Sequence, residues 1–389
     1  MKSRSYRAAA FAGLAISTAV AAAPAGKAPA EIRRVVDAAV LPLMQQYQIP
    51  GMAVGLVVQG QPRVLNYGVQ SLQTGRPVAA GTLFEIGSLS KTFTATLATW
   101  AQAQNRLSLS DPIGKYLPEL RGTEFGKVSL FHLGTHTAGG LPLQVPDQIR
   151  DEAGLMDYFK AWRPAYPAGT RRTYANPGIG TLGLVAARSL GQDFATLAEG
   201  RLFPALGMTH TYIDVPASGM ASYAQGYTTV GKPIRLAPGV LWRQAYGVKT
   251  TAADMVRFMQ ANMGMLDLDP ALRRAIAETH VAYFQAGPMM QDLIWEQYPY
   301  PVSLQALMAG NATALIFEPT AVAAIDPPQA PRADAWINKT GSTNGFGAYM
   351  AFVPRQRLGV VLLANKNFPI DARVRVAYDI ITALSRRTP

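Results

Sequence analysis

Ser88 and Lys91 stand three residues apart in Phe84-Glu85-Ile86-Gly87-Ser88-Leu89-Ser90-Lys91-Thr92-Phe93. Apolar residues recur from there at Leu89, Phe93, Leu97 and Trp100, a spacing that predicts a loop running into a helix. Ser88 and Lys91 then share a second face of that helix, a hydroxyl within reach of an amine. At a helix N-terminus the orphan N–H groups and the dipole favour developing negative charge. A serine hydroxyl is a weak nucleophile at neutral pH, and a neighbouring lysine is one of the bases that activates it. The chemistry on offer is attack on an acyl carbonyl. The plainer reading is a helix cap and a solvated lysine.

Two further motifs change the balance. Tyr174-Ala175-Asn176 lies in Arg172-Thr173-Tyr174-Ala175-Asn176-Pro177-Gly178, a loop ahead of an apolar helix. Lys339-Thr340-Gly341 lies in Trp336-Ile337-Asn338-Lys339-Thr340-Gly341-Ser342-Thr343-Asn344-Gly345, leading to a strand at 348. Taken singly, Tyr174 is an ordinary loop tyrosine and Lys339 a solvated strand lysine. Each of the three motifs occurs once in the chain, and in this order. His132 and His136 are four apart, but Gly134 between them and the lack of a nearby acidic third ligand argue against zinc. No metal and no cofactor is expected.

The elements that must position these residues are legible at both ends. Residues 31–48 carry Ile32, Val35, Val36, Ala39, Val40, Leu43, Met44 and Tyr47 at helical spacing, and Ile49-Pro50-Gly51 stops them. Residues 52–58 and 64–69 predict a hairpin, residues 348–353 and 358–364 a second one, and 371–386 a closing helix. The simplest packing is an antiparallel sheet flanked by the terminal helices, an α+β fold. Residues 106–290 read as a mostly helical domain inserted into a sheet domain made of 30–105 and 291–389, with the active site at the seam. Met289, Met290, Trp295, Tyr298 and Tyr300 are expected to pack along that seam.

The chain has 389 residues, of which 49% are hydrophobic and 15% charged, enough for a large core. Lys2, Arg4 and Arg7 precede an apolar run from Ala8 to Val20, too short to span a bilayer, and Ala19-Val20-Ala21 offers a small-x-small cleavage site. Residues 1–21 read as a secretory signal, and no later stretch as a membrane anchor. Export implies an oxidising compartment, yet there is no cysteine, so no disulfide and no thiol chemistry. The formal charge of +12 is scattered, without basic runs or basic–aromatic interleaving. That argues against nucleic acid and leaves an anionic small substrate open.

Ser-x-x-Lys together with Lys-Thr-Gly resembles the penicillin-recognising serine enzymes. With Tyr-x-Asn between them the chain is similar to class C β-lactamases of the AmpC type, over about residues 30–386. Gly140-Leu141-Pro142-Leu143-Gln144, Ala245-Tyr246-Gly247-Val248-Lys249-Thr250 and Leu363-Ala364-Asn365-Lys366-Asn367-Phe368-Pro369 carry that likeness. The resemblance implies the serine β-lactamase/penicillin-binding fold and an exported, periplasmic, monomeric enzyme that opens β-lactams, cephalosporins preferred. It implies an acyl-enzyme on Ser88, proton handling by Lys91 and Tyr174, and positive charge from Lys339. Gln144 and Asn176 would bind the substrate's side-chain amide, and Tyr246 would wall the site. Thr340, Asn367 and Arg373 would lie near the substrate carboxylate, and the backbone N–H groups of Ser88 and Ser342 would form the oxyanion hole. A tyrosine with a pKa of about 10 is no base at neutral pH, but two ammonium groups beside it would stabilise its phenolate. Which of Lys91 and Tyr174 is the base stays open.

Four positions depart from the family's pattern: Ile370, His136 in place of a tyrosine, and Trp242 and Gln244 in place of acidic residues in a loop over the site. Trp242 either fills space needed by bulky oxyimino side chains or packs on the underside of its own loop. The resemblance leaves room for a D-Ala-D-Ala carboxypeptidase or esterase of the same fold, or for a penicillin-binding sensor that acylates without turnover.

Overall fold

The computed structural model describes Met1 and residues 29–385. The predicted signal segment therefore lies, apart from Met1, outside the described residues. In chain order the elements that build the site are α1 (Pro29–Tyr47), β1 (Gly51–Val58), β2 (Gln61–Gly68), α2 (Ser90–Ala103), α3 (Asn176–Ser189), α4 (Ala252–Asn262), β3 (Ala282–Ala286), β4 (Met289–Gln291), β5 (Glu296–Pro299), β6 (Ala323–Gln329), β7 (Ala335–Ser342), β8 (Gly347–Val353), β9 (Leu358–Ala364) and α5 (Ile370–Ser385).

Nine strands form one antiparallel sheet in the order β6-β3-β4-β5-β7-β8-β9-β1-β2. The sequence disclosed four of them. The tight turn between β1 and β2 is Gln59-Gly60, both at positive φ, as a two-residue hairpin requires. The other five strands are short, polar or broken by proline. β5 reads Glu-Gln-Tyr-Pro and turns its polar residues to a buried network; β6 carries Pro327 and Pro328 and sits at the sheet edge, where a missing N–H costs nothing. The second segment of the sheet thus begins at Ala282, upstream of the position 291 expected from sequence.

Both faces of the sheet are buried, which explains the nearly continuous apolar runs of its central strands. On β1 the residues Met52, Val54, Leu56 and Val58 join α1 and α5 in one core, while Ala53 and Val57 face a second. β8 and β9 alternate the same way, Tyr349 and Val360 to one side, Met350 and Val361 to the other. α4 lies on the second face so closely that a Cβ on Gly55 would come within 2.5 Å of Val256.

A third core gathers the short helices and loops between Leu107 and Ile294. α2 is common to two cores. Leu89, Phe93, Leu97 and Trp100 pack toward the sheet, and Ala95, Ala98 and Ala101 toward the third core. It is buried from Ser90 to Ala101; Thr92, Thr96 and Thr99 donate their hydroxyls to Leu89 O, Thr92 O and Thr96 O, while Thr94 donates outward to Gln244 O at 2.6 Å. A helix enclosed on all sides holds its first turn still, and that turn carries Lys91. No helix among the described residues is long and apolar enough to cross a membrane.

Candidate active site

Ser88 does not cap α2. It lies in a 3₁₀ turn, Gly87–Leu89, just ahead of the helix, whose cap residue is Leu89. Lys91, fully buried on the first turn, donates to Ser88 Oγ at 2.8 Å and to the Ala245 carbonyl at 2.9 Å. Two glycines let the turn meet the end of β7. Gly87 has φ +51°, and a Cβ there would lie 2.4 Å from the Ser342 carbonyl; a Cβ on Gly341 would lie 2.0 Å from the Ile86 carbonyl. Side chains at either position would hold the N–H groups of Ser88 and Ser342 apart.

The Tyr174 ring is surrounded by cations. Lys91 Nζ and Lys339 Nζ each lie 5.1 Å from its centroid, and the Arg172 guanidinium 5.4 Å. Burial pushes the phenol's pKa up, but Lys339, Lys91 and a hydrogen bond with Ser88 outweigh it and bring it down to about 8. Lys91 also falls to about 8: burial dominates and Lys339 adds to it, against the pull of Tyr174. Two groups that would be inert acids in water are thus poised near neutrality, as proton transfer at physiological pH requires.

Lys339 on β7 is equally enclosed, 3.7 Å from Glu296 Oε1 and 3.3 Å from the Thr340 carbonyl. Glu296 also accepts from Arg172 at 3.1 Å, and Arg172 reaches Gln291 Oε1 at 2.6 Å and Leu315 O at 2.7 Å. Sequence reasoning missed Arg172 and Glu296. Arg172 stood two residues before Tyr174, a visible if weak signal; Glu296 had none, because only the β5–β7 pairing sets it opposite Asn338.

Ser88, Arg172, Tyr174, Glu296 and Lys339 line a cleft of about 640 Å³ together with Gln144, Asn176, Tyr246, Thr340, Ser342 and Asn367. Asn176 begins α3, and its Oδ1 is buried without a partner among the described residues. Arg373, predicted to meet the substrate, is wholly buried in the cleft wall. Its guanidinium donates to Gly341 O, Ser342 Oγ, Asn367 Oδ1 and Phe368 O, so it shapes the site from beneath. Ile370 lies on the rim beside Phe368 and Pro369.

Trp242 and Gln244 stand apart from the cleft, and for Trp242 the packed reading is the one the structure favours. Neither lines the cleft at Ser88; both line a neighbouring groove beyond Tyr246. Trp242 is buried in the core, its ring 4.6 Å from Lys249 Nζ and 4.9 Å from the Arg243 guanidinium. It packs the underside of its own loop, since an indole between two cations is already spent on the fold. His132 and His136 each spend Nδ1 locally, on Thr137 Oγ1 at 2.7 Å and on the Ala175 N–H at 3.2 Å.

A family model described as Beta-lactamase matches residues 36–384. A β-lactamase of Lysobacter lactamgenus is 54% identical over 354 residues, 91% of each chain. Among solved structures, the D-alanine carboxypeptidase AmpC of Burkholderia cenocepacia is 59% identical with a TM-score of 0.88, covering 91% of this chain and 99% of its own. A class C β-lactamase solved in complex with cefoxitin is 48% identical with a TM-score of 0.89, covering 91% and 99%. With a family model spanning most of its length and neighbours of the same fold across nearly their whole chains, this protein belongs to the β-lactamase family and is a hydrolase of its class C group.

Proposed function

We propose that the protein is an exported, periplasmic, monomeric enzyme that hydrolyses β-lactam rings, cephalosporins by preference, through an acyl-enzyme on Ser88. The observation that carries this reading is the Lys91 Nζ to Ser88 Oγ hydrogen bond of 2.8 Å, with Tyr174 held between two ammonium groups. Ser88 Oγ adds to the lactam carbonyl, and its proton passes to Lys91 or Tyr174. The developing oxyanion is met by the N–H groups of Ser88 and Ser342. As the ring C–N bond breaks, the same proton reaches the leaving nitrogen through Tyr174. Water, deprotonated by the same pair, then cleaves the ester and restores Ser88. Lys339 with Thr340 and Asn367 receives the substrate carboxylate, and Gln144, Asn176 and Tyr246 take the acylamino side. No cofactor takes part.

Ser88→Ala should abolish covalent labelling by β-lactams in intact-mass spectra with the circular dichroism unchanged, because the hydroxyl caps nothing. An adduct surviving in that variant places the nucleophile elsewhere. A second reading, a D-Ala-D-Ala carboxypeptidase, is favoured by the likeness to the D-alanine carboxypeptidase AmpC of Burkholderia cenocepacia. Nitrocefin turnover measured beside D-alanine release from a D-Ala-D-Ala peptide separates the two.

A further inference from the structure

We infer that His136 is the positioning residue for Tyr174, gripping the loop that carries the phenol on both sides of it. The His136 carbonyl accepts the Thr173 N–H at 2.8 Å, and its Nδ1 accepts the Ala175 N–H at 3.2 Å. Between those two anchors lies Tyr174, and its ring packs against the imidazole with centroids 4.3 Å apart. One residue therefore fixes both neighbours of the tyrosine and braces one side of its ring. The grip needs an uncommon backbone. His136 has φ +61°, in the left-handed region that histidine and asparagine enter more readily than most residues. The turn is itself tied down, Thr137 N–H to His132 O at 2.9 Å and Gly169 N–H to Thr137 O at 2.9 Å.

The grip works only with a neutral ring. Nδ1 accepts, so the proton sits on Nε2, which is enclosed without a partner among the described residues. An imidazolium would turn a second N–H against that of Ala175. The charged groups around it are Lys91 from α2, Lys339 from β7 and Arg172 from the same loop as Tyr174, while Glu296 on β5 pairs with Arg172 and Lys339. Burial first, and these cations next, keep the imidazole uncharged. What the grip does for catalysis is to hold the phenol at its distance from both ammonium groups, and so to hold its pKa down.

This inference rests on the assignment of Tyr174 to proton transfer, so Tyr174→Phe is measured beside two variants of His136. His136→Phe keeps a flat ring against Tyr174 and removes the acceptor. His136→Asn puts a carbonyl oxygen near the place of Nδ1 and tolerates the left-handed backbone. His136→Phe should lower kcat for nitrocefin by about 10- to 100-fold at unchanged KM, the scale of an ångström's misplacement. The rising limb of its kcat–pH profile should move to higher pH, because the phenol drifts from the ammonium groups. His136→Asn should recover most of the rate and the original limb. A His136→Phe enzyme with only a lower Tm, its kcat and pH limb intact, overturns the inference. So does an equal fall in both His136 variants. If Tyr174→Phe turns over like the parent, the assignment of Tyr174 fails and this inference with it; if Tyr174→Phe is crippled and His136→Phe is not, the inference alone fails.

Discussion

Tyr174 and Lys91 lie in one buried pocket with Lys339, coupled by charge, and their titrations belong to the group rather than to either residue. The sign of a perturbation is nonetheless fixed. Lys339 is the strongest influence drawing the phenol down, ahead of Lys91 and Ser88. Lys339→Ala therefore lets the Tyr174 pKa climb from about 8 back toward its usual 10. The form competent to take a proton becomes scarcer at neutral pH, and the rising limb of kcat moves to higher pH by about one unit, roughly a tenfold loss at pH 7. A profile from pH 5 to 10 checks this, and a limb that stays in place denies Lys339 its electrostatic role. The motif residues at this scale were legible because chemistry dictates their types. Glu296, which tempers the same cluster, was not, since a lone glutamate in a polar strand carries no signal until β5 pairs with β7.

At the scale of elements, the site is a junction of three pieces: the turn before α2, the loop before α3 and the end of β7. Their approach is set by small residues. Gly87→Ala forces a Cβ to within 2.4 Å of Ser342 and asks a side chain to adopt φ +51°. The expected outcome is a fall in kcat of about 100-fold or more, with a smaller effect on KM, as the Ser88 and Ser342 N–H groups separate. A near-parental kcat would show that the two amides do not act together. Trp242 belongs to a different element and a different energy. Buried and packed on its own loop, it should cost about 3–5 kcal/mol when replaced by alanine. Trp242→Ala should lose activity alike on a small penicillin and on an oxyimino-cephalosporin, with a clear drop in Tm. A selective gain on the bulky substrate at unchanged Tm would restore the steric reading drawn from sequence.

For the whole molecule the relevant quantity is its field. The chain carries a formal charge of +12, and Lys91, Lys339 and Arg172 gather around the one tyrosine at the cleft. Such a site draws an anionic substrate from solution, and added salt screens the outer part of that attraction. kcat/KM for a carboxylate-bearing β-lactam should fall as sodium chloride rises from about 10 mM to 1 M, over which the Debye length shrinks from about 30 to 3 Å. kcat, set by groups already buried, should change far less. Equal falls in both would point to a salt effect on the fold itself, which Tm at each concentration would report.

The sequence by itself determined the family's motifs and the two hairpins with their covering helices. Ser88, Lys91, Tyr174 and Lys339 are common residue types whose three motifs occur once each and in one order, and β1, β8 and β9 are apolar enough to announce themselves. Only the tertiary structure decided what surrounds them. The resemblance put Arg373 near the substrate carboxylate; the structure seats it buried in the cleft wall, where Gly341 O, Phe368 O, Ser342 Oγ and Asn367 Oδ1 take its donors. For Trp242 the sequence left two readings open, filling the site or packing under its own loop, and the structure turns the indole inward. Short motifs encode chemistry through residue type. The direction in which a side chain points depends on elements far away in the chain, and those come together only when the sheet closes and α2 is buried between two cores.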